Sequence, residues 1–362
     1  MATHFRTLKI EDVRRETADC VSVAFAIPPE LRDEFRYRQG QNITVRMTVN
    51  GEEVRRSYSI CSSPLEAELR IAVKKVPGGV FSTWANEQLA VGHALEVLAP
   101  SGKFYTELDP VNCKHYLAFA AGSGITPVIS LMKTTLATEP GSRFTLVYGN
   151  RHRLSIIFRE ELEALKNRYM DRLVLHHVLS QEQLDIPLYQ GRIDAVKCAE
   201  LCGCLIDLRS VDEVFLCGPE QMIFSVREWL EAHGVESRKI HFELFHTLNS
   251  GAGARRRVAP KDKTNPAEHF CRVTVRLDGV SHEFDLPFDG ASVLEAALME
   301  GVDLPYACKG GVCCTCRAKL MEGHVEMDLN YALEADELAA GFVLTCQSHP
   351  RTAKVVIDFD SK

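Results

Sequence analysis

The 362-residue chain reads as three folded parts in a row: an antiparallel β-barrel, an α/β domain with a parallel sheet, and a small α+β unit of the β-grasp type. Three observations carry that reading. Short β-like segments separated by turn signals fill roughly the first hundred residues. Strands alternate with helices from about Lys114, and a hairpin, a helix and a tight cysteine loop close the chain. The boundaries fall at 1–110, 111–246 and 268–362, with 247–267 as a linker.

In the first part the β-like segments are Cys20–Ile27, Asn42–Val49, Leu69–Lys75 and Ala94–Leu98. Asn50-Gly51 and Pro77-Gly78-Gly79 supply the turns, and a helix is expected over Ser82–Leu89. In the second part, Tyr116–Ala120, Phe144–Tyr148, Leu173–Leu179 and Glu213–Cys217 are strands, and Pro127–Ala137 and Phe158–Tyr169 are helical. That alternation calls for a parallel sheet covered on both faces. From Thr247 to Pro266 the chain carries Gly, Ser, Pro and basic residues without periodicity, the composition of a flexible tether. Beyond it, Arg272–Leu277 and Ser281–Leu286 flank a hairpin signal at Asp278-Gly279. Ser292 then caps a helix running through Met299, with Glu295 completing a capping box.

Composition excludes several classes. The longest apolar stretch, Tyr116 to Met132, is broken by Gly122, Gly124 and Pro127 and is too short to span a bilayer. No apolar leader follows Met1, and the 13 cysteines are an odd number, so reduced thiols of a cytoplasmic protein are expected. Of the net charge of −7, the stretch from Glu268 onward supplies sixteen acidic against eight basic side chains, an asymmetry that fits docking on a basic partner and equally a solvated surface. The one basic run, Arg255-Arg256-Arg257, lies in the linker, so neither a nucleic acid nor a membrane is expected as a partner.

The most specific motif is Cys308-x4-Cys313-x2-Cys316, with Cys346 about thirty residues on. Three thiolates from one tight loop and a distant fourth is the spacing that holds a plant-type 2Fe-2S cluster. Gly310 and Gly311 give that loop the backbone freedom it needs. The rivals are a zinc site, which normally shows paired C-x2-C units, and unrelated buried thiols. Cys314 reads as a bystander, because using it would break the spacing. Cys198, Cys202 and Cys204 have no fourth ligand nearby and read as no metal site.

Arg56-Ser57-Tyr58-Ser59 and Gly78-Gly79-Val80-Phe81-Ser82 are each, alone, a strand end and a turn. Together, and ahead of a nucleotide-type domain, they resemble the R-x-Y-S and G-x-x-S signatures of the ferredoxin–NADP reductase family. The resemblance implies FAD, bound through Arg56, Ser57, Tyr58, Ser59, Gly79, Val80 and Ser82. An arginine and a helix start suit a pyrophosphate, while Tyr58 and Ser59 fall beside the isoalloxazine ring. Gly122-Ser123-Gly124-Ile125-Thr126-Pro127 sits between a strand and a helix, the place where a glycine turn cradles phosphate, and matches that family's G-x-G-I-T-P loop. Pro127 is expected at the first helical position. Cys217-Gly218-Pro219 matches the segment beside the nicotinamide, although in isolation Cys217 reads as a structural thiol. Gly122, Ser123, Gly124, Thr126, Arg151, Cys217, Gly218 and Pro219 are therefore the expected nucleotide ligands. Arg151 is placed for a 2′-phosphate, while Gln181 stands where relatives carry a second arginine, so NADPH is expected with NADH possible. Ser59, Cys217 and Glu243 are the expected catalytic residues, Glu243 as a proton relay.

Hydride carries two electrons and the cluster accepts one, so a flavin belongs between them. The run Cys308-Lys309-Gly310-Gly311-Val312-Cys313, with Asn330-Tyr331-Ala332-Leu333-Glu334 and Leu344-Thr345-Cys346-Gln347, resembles the reductase components of phenylacetyl-CoA epoxygenases. The resemblance implies electron delivery to a di-iron oxygenase, since this chain has no paired E-x-x-H helices of its own. Reductases of Rieske-type or steroid hydroxylases share the domain order, and a redox sensor is the reading from another class. In the electron-transfer reading, the tether lets the C-terminal unit alternate between its own flavin and the acceptor.

Overall fold

The computed structural model describes residues 4–49, 51–245 and 270–361, and the expected linker lies outside them. Arg6–Val54 and Tyr58–Phe245, which carry most of the barrel and all of the parallel sheet, form one compact unit, while the C-terminal domain belongs to a second.

The barrel is formed by β1 (Arg6–Thr17), β2 (Cys20–Ala26), β3 (Asn42–Val49), β4 (Glu52–Ser59), β5 (Leu69–Lys74) and β6 (Ala94–Val97), with α1 (Val80–Glu87) beside it. The strands run in the order β4-β3-β6-β1-β2-β5. A bridge from Ile60 to Ile71 joins the two ends of that order and closes the barrel. Leu8, Ile10, Val23, Phe25, Ile43, Val45, Ile71 and Val97 fill its interior. Two strands escape the sequence reading for a physical reason. β1 is crowded with charge, and a bulge after Ile10 breaks its alternation; β4 begins Glu-Glu-Val-Arg-Arg and shows no apolar face. Helix α1 starts at Val80, not Ser82. Gly79 N donates to Val76 O at 2.9 Å, and the Ser82 hydroxyl accepts from Val76 N at 3.1 Å, so Ser82 lies inside the first turn.

The α/β domain comprises β7 (His115–Ala121), α2 (Ile125–Thr138), β8 (Arg143–Asn150), α3 (Arg159–Arg168), β9 (Leu173–Leu179), α4 (Ala195–Cys204), β10 (Glu213–Gly218), α5 (Glu220–Ala232) and β11 (Ile240–Leu244). All pairings are parallel, in the order β11-β10-β7-β8-β9. The order reverses between β7 and β10, which makes their C-terminal ends the switch point where such sheets bind ligands. A single 3-10 turn over Gly122–Gly124 precedes α2, so Pro127 is its third residue and not its first. Its missing N–H still costs nothing there, because first-turn donors have no partner within the helix.

The C-terminal domain contains β12 (Phe270–Leu277), β13 (Val280–Pro287), α6 (Val293–Met299), β14 (Arg317–Glu322), β15 (Val325–Met327), α7 (Ala335–Ala339), β16 (Phe342–Leu344), β17 (Ser348–Pro350) and β18 (Lys354–Asp358). Its mixed sheet runs β13-β12-β18-β14-β16, with β12 parallel to β18. Ser292 accepts from Glu295 N at 3.3 Å, and α6 buries Val293, Leu294 and Ala297 in the same core as Cys271, Val273 and Val355.

Candidate redox and cluster sites

Strand β4 delivers the flavin-signature residues. The Arg56 guanidinium donates to the Arg55 carbonyl at 2.7 Å and pairs with no carboxylate among the described residues, leaving its charge for an anion. Tyr58 packs its ring against Phe81 of α1, with centroids 5.4 Å apart. Gly79 caps α1, and a Cβ there would stand 2.5 Å from the Ser82 hydroxyl and 3.1 Å from the Val76 carbonyl. Ser82 spends its hydroxyl on Val76 N and Gly79 O, so it shapes this turn while Gly79 and Val80 present the helix start. Each feature by itself suits a phosphate: a guanidinium with no carboxylate partner among the described residues, and a helix start stripped of side-chain bulk.

Ser59, Glu243 and Cys217 converge although they come from β4, β11 and β10. The Ser59 hydroxyl donates to Glu243 Oε2 at 2.8 Å, and Asn42 Nδ2 of β3 donates to Oε1 at 3.5 Å. Strand register sets Cys217 beside Glu243. Burial pushes the Glu243 carboxyl up to about 7, against the opposing pull of the Ser59 and Asn42 hydrogen bonds. Burial, and next the Glu243 charge, push the Cys217 thiol well up, so Cys217 stays protonated and apolar. Near neutrality the carboxyl is divided between its two forms, which suits a group that must take up and return a proton.

The glycine turn and the Cys-Gly-Pro segment meet at the switch point. A Cβ on Gly124 would lie 2.1 Å from the Cys217 carbonyl, so only glycine lets α2 start against the end of β10. Gly122 is held at φ +54, and its carbonyl accepts from the buried Tyr148 hydroxyl at 2.9 Å. Thr126 turns its hydroxyl back onto Ser123 O at 3.0 Å. Next to Gly122 stands a cation the sequence reading missed: Lys74 Nζ would be 3.8 Å from a Cβ there, with Asp19 3.8 Å away. Its one signal was the Lys74-Lys75 pair ending β5. The contacts of Asn42 with Glu243 and of Tyr148 with Gly122 were not foreseen either, since neither residue's side chain stands in a recognisable motif.

At the ends of β8 and β9, Gln181 N donates to Arg151 O at 2.9 Å, which ties the two loops together. Arg151 is exposed and its guanidinium has no partner among the described residues. Glu182, by contrast, is engaged: Arg153 N donates to its Oε2 at 2.7 Å.

In the C-terminal domain the four cysteines come as two pairs. Cys308 and Cys313 stand 3.2 Å apart, and Cys316 interacts with Cys346. Among the described residues no three ligating side chains converge on one point, as a single ion would require. Two thiols for each of two irons is the donor set of a dinuclear cluster. Within the first pair the Cys313 thiol donates to Cys308 and holds the Cys308 thiol well below its ordinary range, helped by the Gly310, Val312 and Cys313 amides directed at its sulfur. Gln347 Nε2 lies 3.6 Å from Cys346 Sγ. The loop's left-handed residues are Lys309 (φ +50) and Gly311 (φ +72), not Gly310. A Cβ on Gly311 would meet Leu329 O at 2.8 Å. Cys314 turns away and donates to the Ala332 carbonyl at 3.3 Å.

Three family models match the chain in order: an oxidoreductase FAD-binding domain over 7–105, an oxidoreductase NAD-binding domain over 119–228, and a 2Fe-2S iron-sulfur cluster binding domain over 275–351. The chain is 47% identical to one component of the 1,2-phenylacetyl-CoA epoxidase of Escherichia coli K12, over 99% of both chains. It is 36% identical to the ferredoxin reductase component of a Rhodococcus rhodochrous 3-ketosteroid-9-alpha-monooxygenase, over 97% of this chain and 96% of the other. Among solved structures, phthalate dioxygenase reductase shares the fold end to end, with a TM-score of 0.56, 24% identity and 98% of each chain covered. An intact type IV self-sufficient cytochrome P450 monooxygenase gives a TM-score of 0.68 at 24% identity; 98% of this chain spans 41% of that one.

Proposed function

Because the chain belongs to the family of oxygenase reductase components that join FAD-binding, NAD-binding and 2Fe-2S domains, we propose that it draws on NADPH and supplies a di-iron epoxidase acting on phenylacetyl-CoA. It is an NAD(P)H-dependent oxidoreductase that passes electrons through FAD and a 2Fe-2S cluster to an oxygenase. FAD supplies the step that neither neighbour can make, accepting hydride and releasing single electrons. The observation that carries the choice of acceptor is the whole-length match to the phenylacetyl-CoA epoxidase component.

The chain's own residues divide the work. Gly122, Ser123, Gly124 and Thr126 offer a turn and helix start to the nucleotide's phosphates, with Lys74 adding charge. Gly218 and Pro219 border the nicotinamide side, and buried Cys217 keeps water from it. Arg56, Ser57, Tyr58, Gly79, Val80 and Ser82 hold or shape the flavin side. Ser59 connects the Glu243 carboxyl to the reacting edge, so that a proton can be held or given up there. Arg151 favours NADPH: its free charge suits a 2′-phosphate, while Glu182 is occupied by Arg153 and does not compete for ribose hydroxyls. Cys308, Cys313, Cys316 and Cys346 hold the cluster. The odd count of thirteen cysteines supports a cytoplasmic setting; no described helix is long and apolar enough to cross a membrane.

The test is reconstitution. The holoprotein is mixed with purified di-iron epoxidase and phenylacetyl-CoA, and nucleotide oxidation is followed together with epoxide formation. NADPH oxidation coupled to product supports the assignment. No coupling there, with efficient coupling to a Rieske-type hydroxylase, overturns it.

A further inference from the structure

We propose that Asn42 is a positioning residue for Glu243, with Gly102 keeping its amide in place; the inference rests on Glu243 being the proton-handling group of the reading above. Glu243 hangs from β11 while both its oxygens are held from the barrel. Ser59 of β4 donates to Oε2 at 2.8 Å, and Asn42 of β3 faces Oε1 at 3.5 Å. The second bond is long, as such bonds often are before a substrate closes the site.

Asn42 is set in a rigid frame. Only 8% exposed, it exchanges two backbone hydrogen bonds with Ser101, at 2.8 and 2.9 Å. The neighbouring Gln41 amide donates to Gly102 O at 3.2 Å. Gly102 adopts φ +108, and a Cβ there would stand 2.8 Å from Asn42 Nδ2. Any side chain at 102 therefore displaces the amide that faces Glu243. The groups around the carboxyl are Ser59 from β4, Asn42 from β3 and the Cys217 thiol from β10, and no cation among the described residues pairs with it. Among the described residues only the two hydrogen-bond donors oppose the cost of burying the charge. Loss of the Asn42 N–H must make Glu243 hold its proton more tightly.

The experiment is anaerobic single-turnover reduction of the full-length holoprotein by NADPH between pH 5.5 and 9. Flavin and cluster absorbance report that each variant is folded and loaded. In Asn42→Leu the limb near pH 7 moves up by about half a unit to one unit, the scale of one ordinary hydrogen bond lost, as suits a contact of 3.5 Å. Gly102→Ala moves it the same way, and Asn42→Gln, which keeps the donor, moves it back toward wild type. An unshifted limb with a uniformly slower rate in Asn42→Leu, or a downward shift, overturns the inference. Glu243→Gln separates the two claims. If it abolishes the limb while the Asn42 variants leave theirs in place, only the positioning role fails. If the limb survives Glu243→Gln, the proton-handling role of Glu243 fails and the positioning role with it.

Discussion

In the proposed function Glu243 handles the proton, and that role is open to test one residue at a time. Replacement by Gln keeps the shape and both donors but removes the proton site; such groups typically contribute at least a hundredfold. We expect reduction by NADPH to slow by roughly that factor and to lose its pH dependence near 7, read by anaerobic rapid mixing. The same residue sets a stability trend. Its folded value, about 7, lies above the ordinary 4.5, so its contribution is fully present below pH 4.5 and is lost as pH rises through 7, by roughly 3 kcal/mol. Chemical unfolding at pH 5 and pH 8.5 should differ less in Glu243→Gln than in the wild type. At the other end of the site, Arg151→Ala should raise KM for NADPH about tenfold to a hundredfold, the scale of a lost charge-assisted hydrogen bond, and leave KM for NADH nearly unchanged. Equal effects on both nucleotides would count against a 2′-phosphate contact.

Among the elements, the junction of β7, α2 and β10 decides whether a nucleotide site exists. Gly124→Ala places a carbon 2.1 Å from the Cys217 carbonyl, and the backbone must move. A thermal midpoint lowered by several degrees, with weaker nucleotide binding and an unchanged cluster spectrum, is the expected outcome. Strands whose apolar pattern is continuous, such as β3 and β9, were legible to the residue, as was the helix that Ser292 caps. Strands β1 and β4 were not, because their side chains follow barrel curvature and site chemistry more than a buried face. Ser59, Cys217 and Glu243 were each singled out in the sequence, Ser59 and Cys217 within motifs. That β4, β10 and β11 bring them together depends on long-range register, which local sequence does not encode. Asn42 and Lys74 carry no motif and emerge only from that geometry.

At the scale of the molecule, flavin, nucleotide and cluster domains follow one another along the chain, while electrons pass from nucleotide to flavin to cluster; that three-part make-up was the most legible feature of all because cysteine spacing and glycine turns are local. The central claim is that one chain carries electrons from nicotinamide to cluster. Cys346→Ser isolates its last step by removing one of the four thiols while leaving the barrel and the parallel sheet intact; flavin reduction by NADPH should continue at the wild-type rate with the cluster bands gone. The most direct test is anaerobic stopped-flow spectroscopy of the wild-type holoprotein mixed separately with NADPH and NADH. The account predicts flavin bleaching first, loss of the cluster's visible bands second, and the faster flavin phase with NADPH. A flavin that is reduced while the cluster remains oxidised would contradict it.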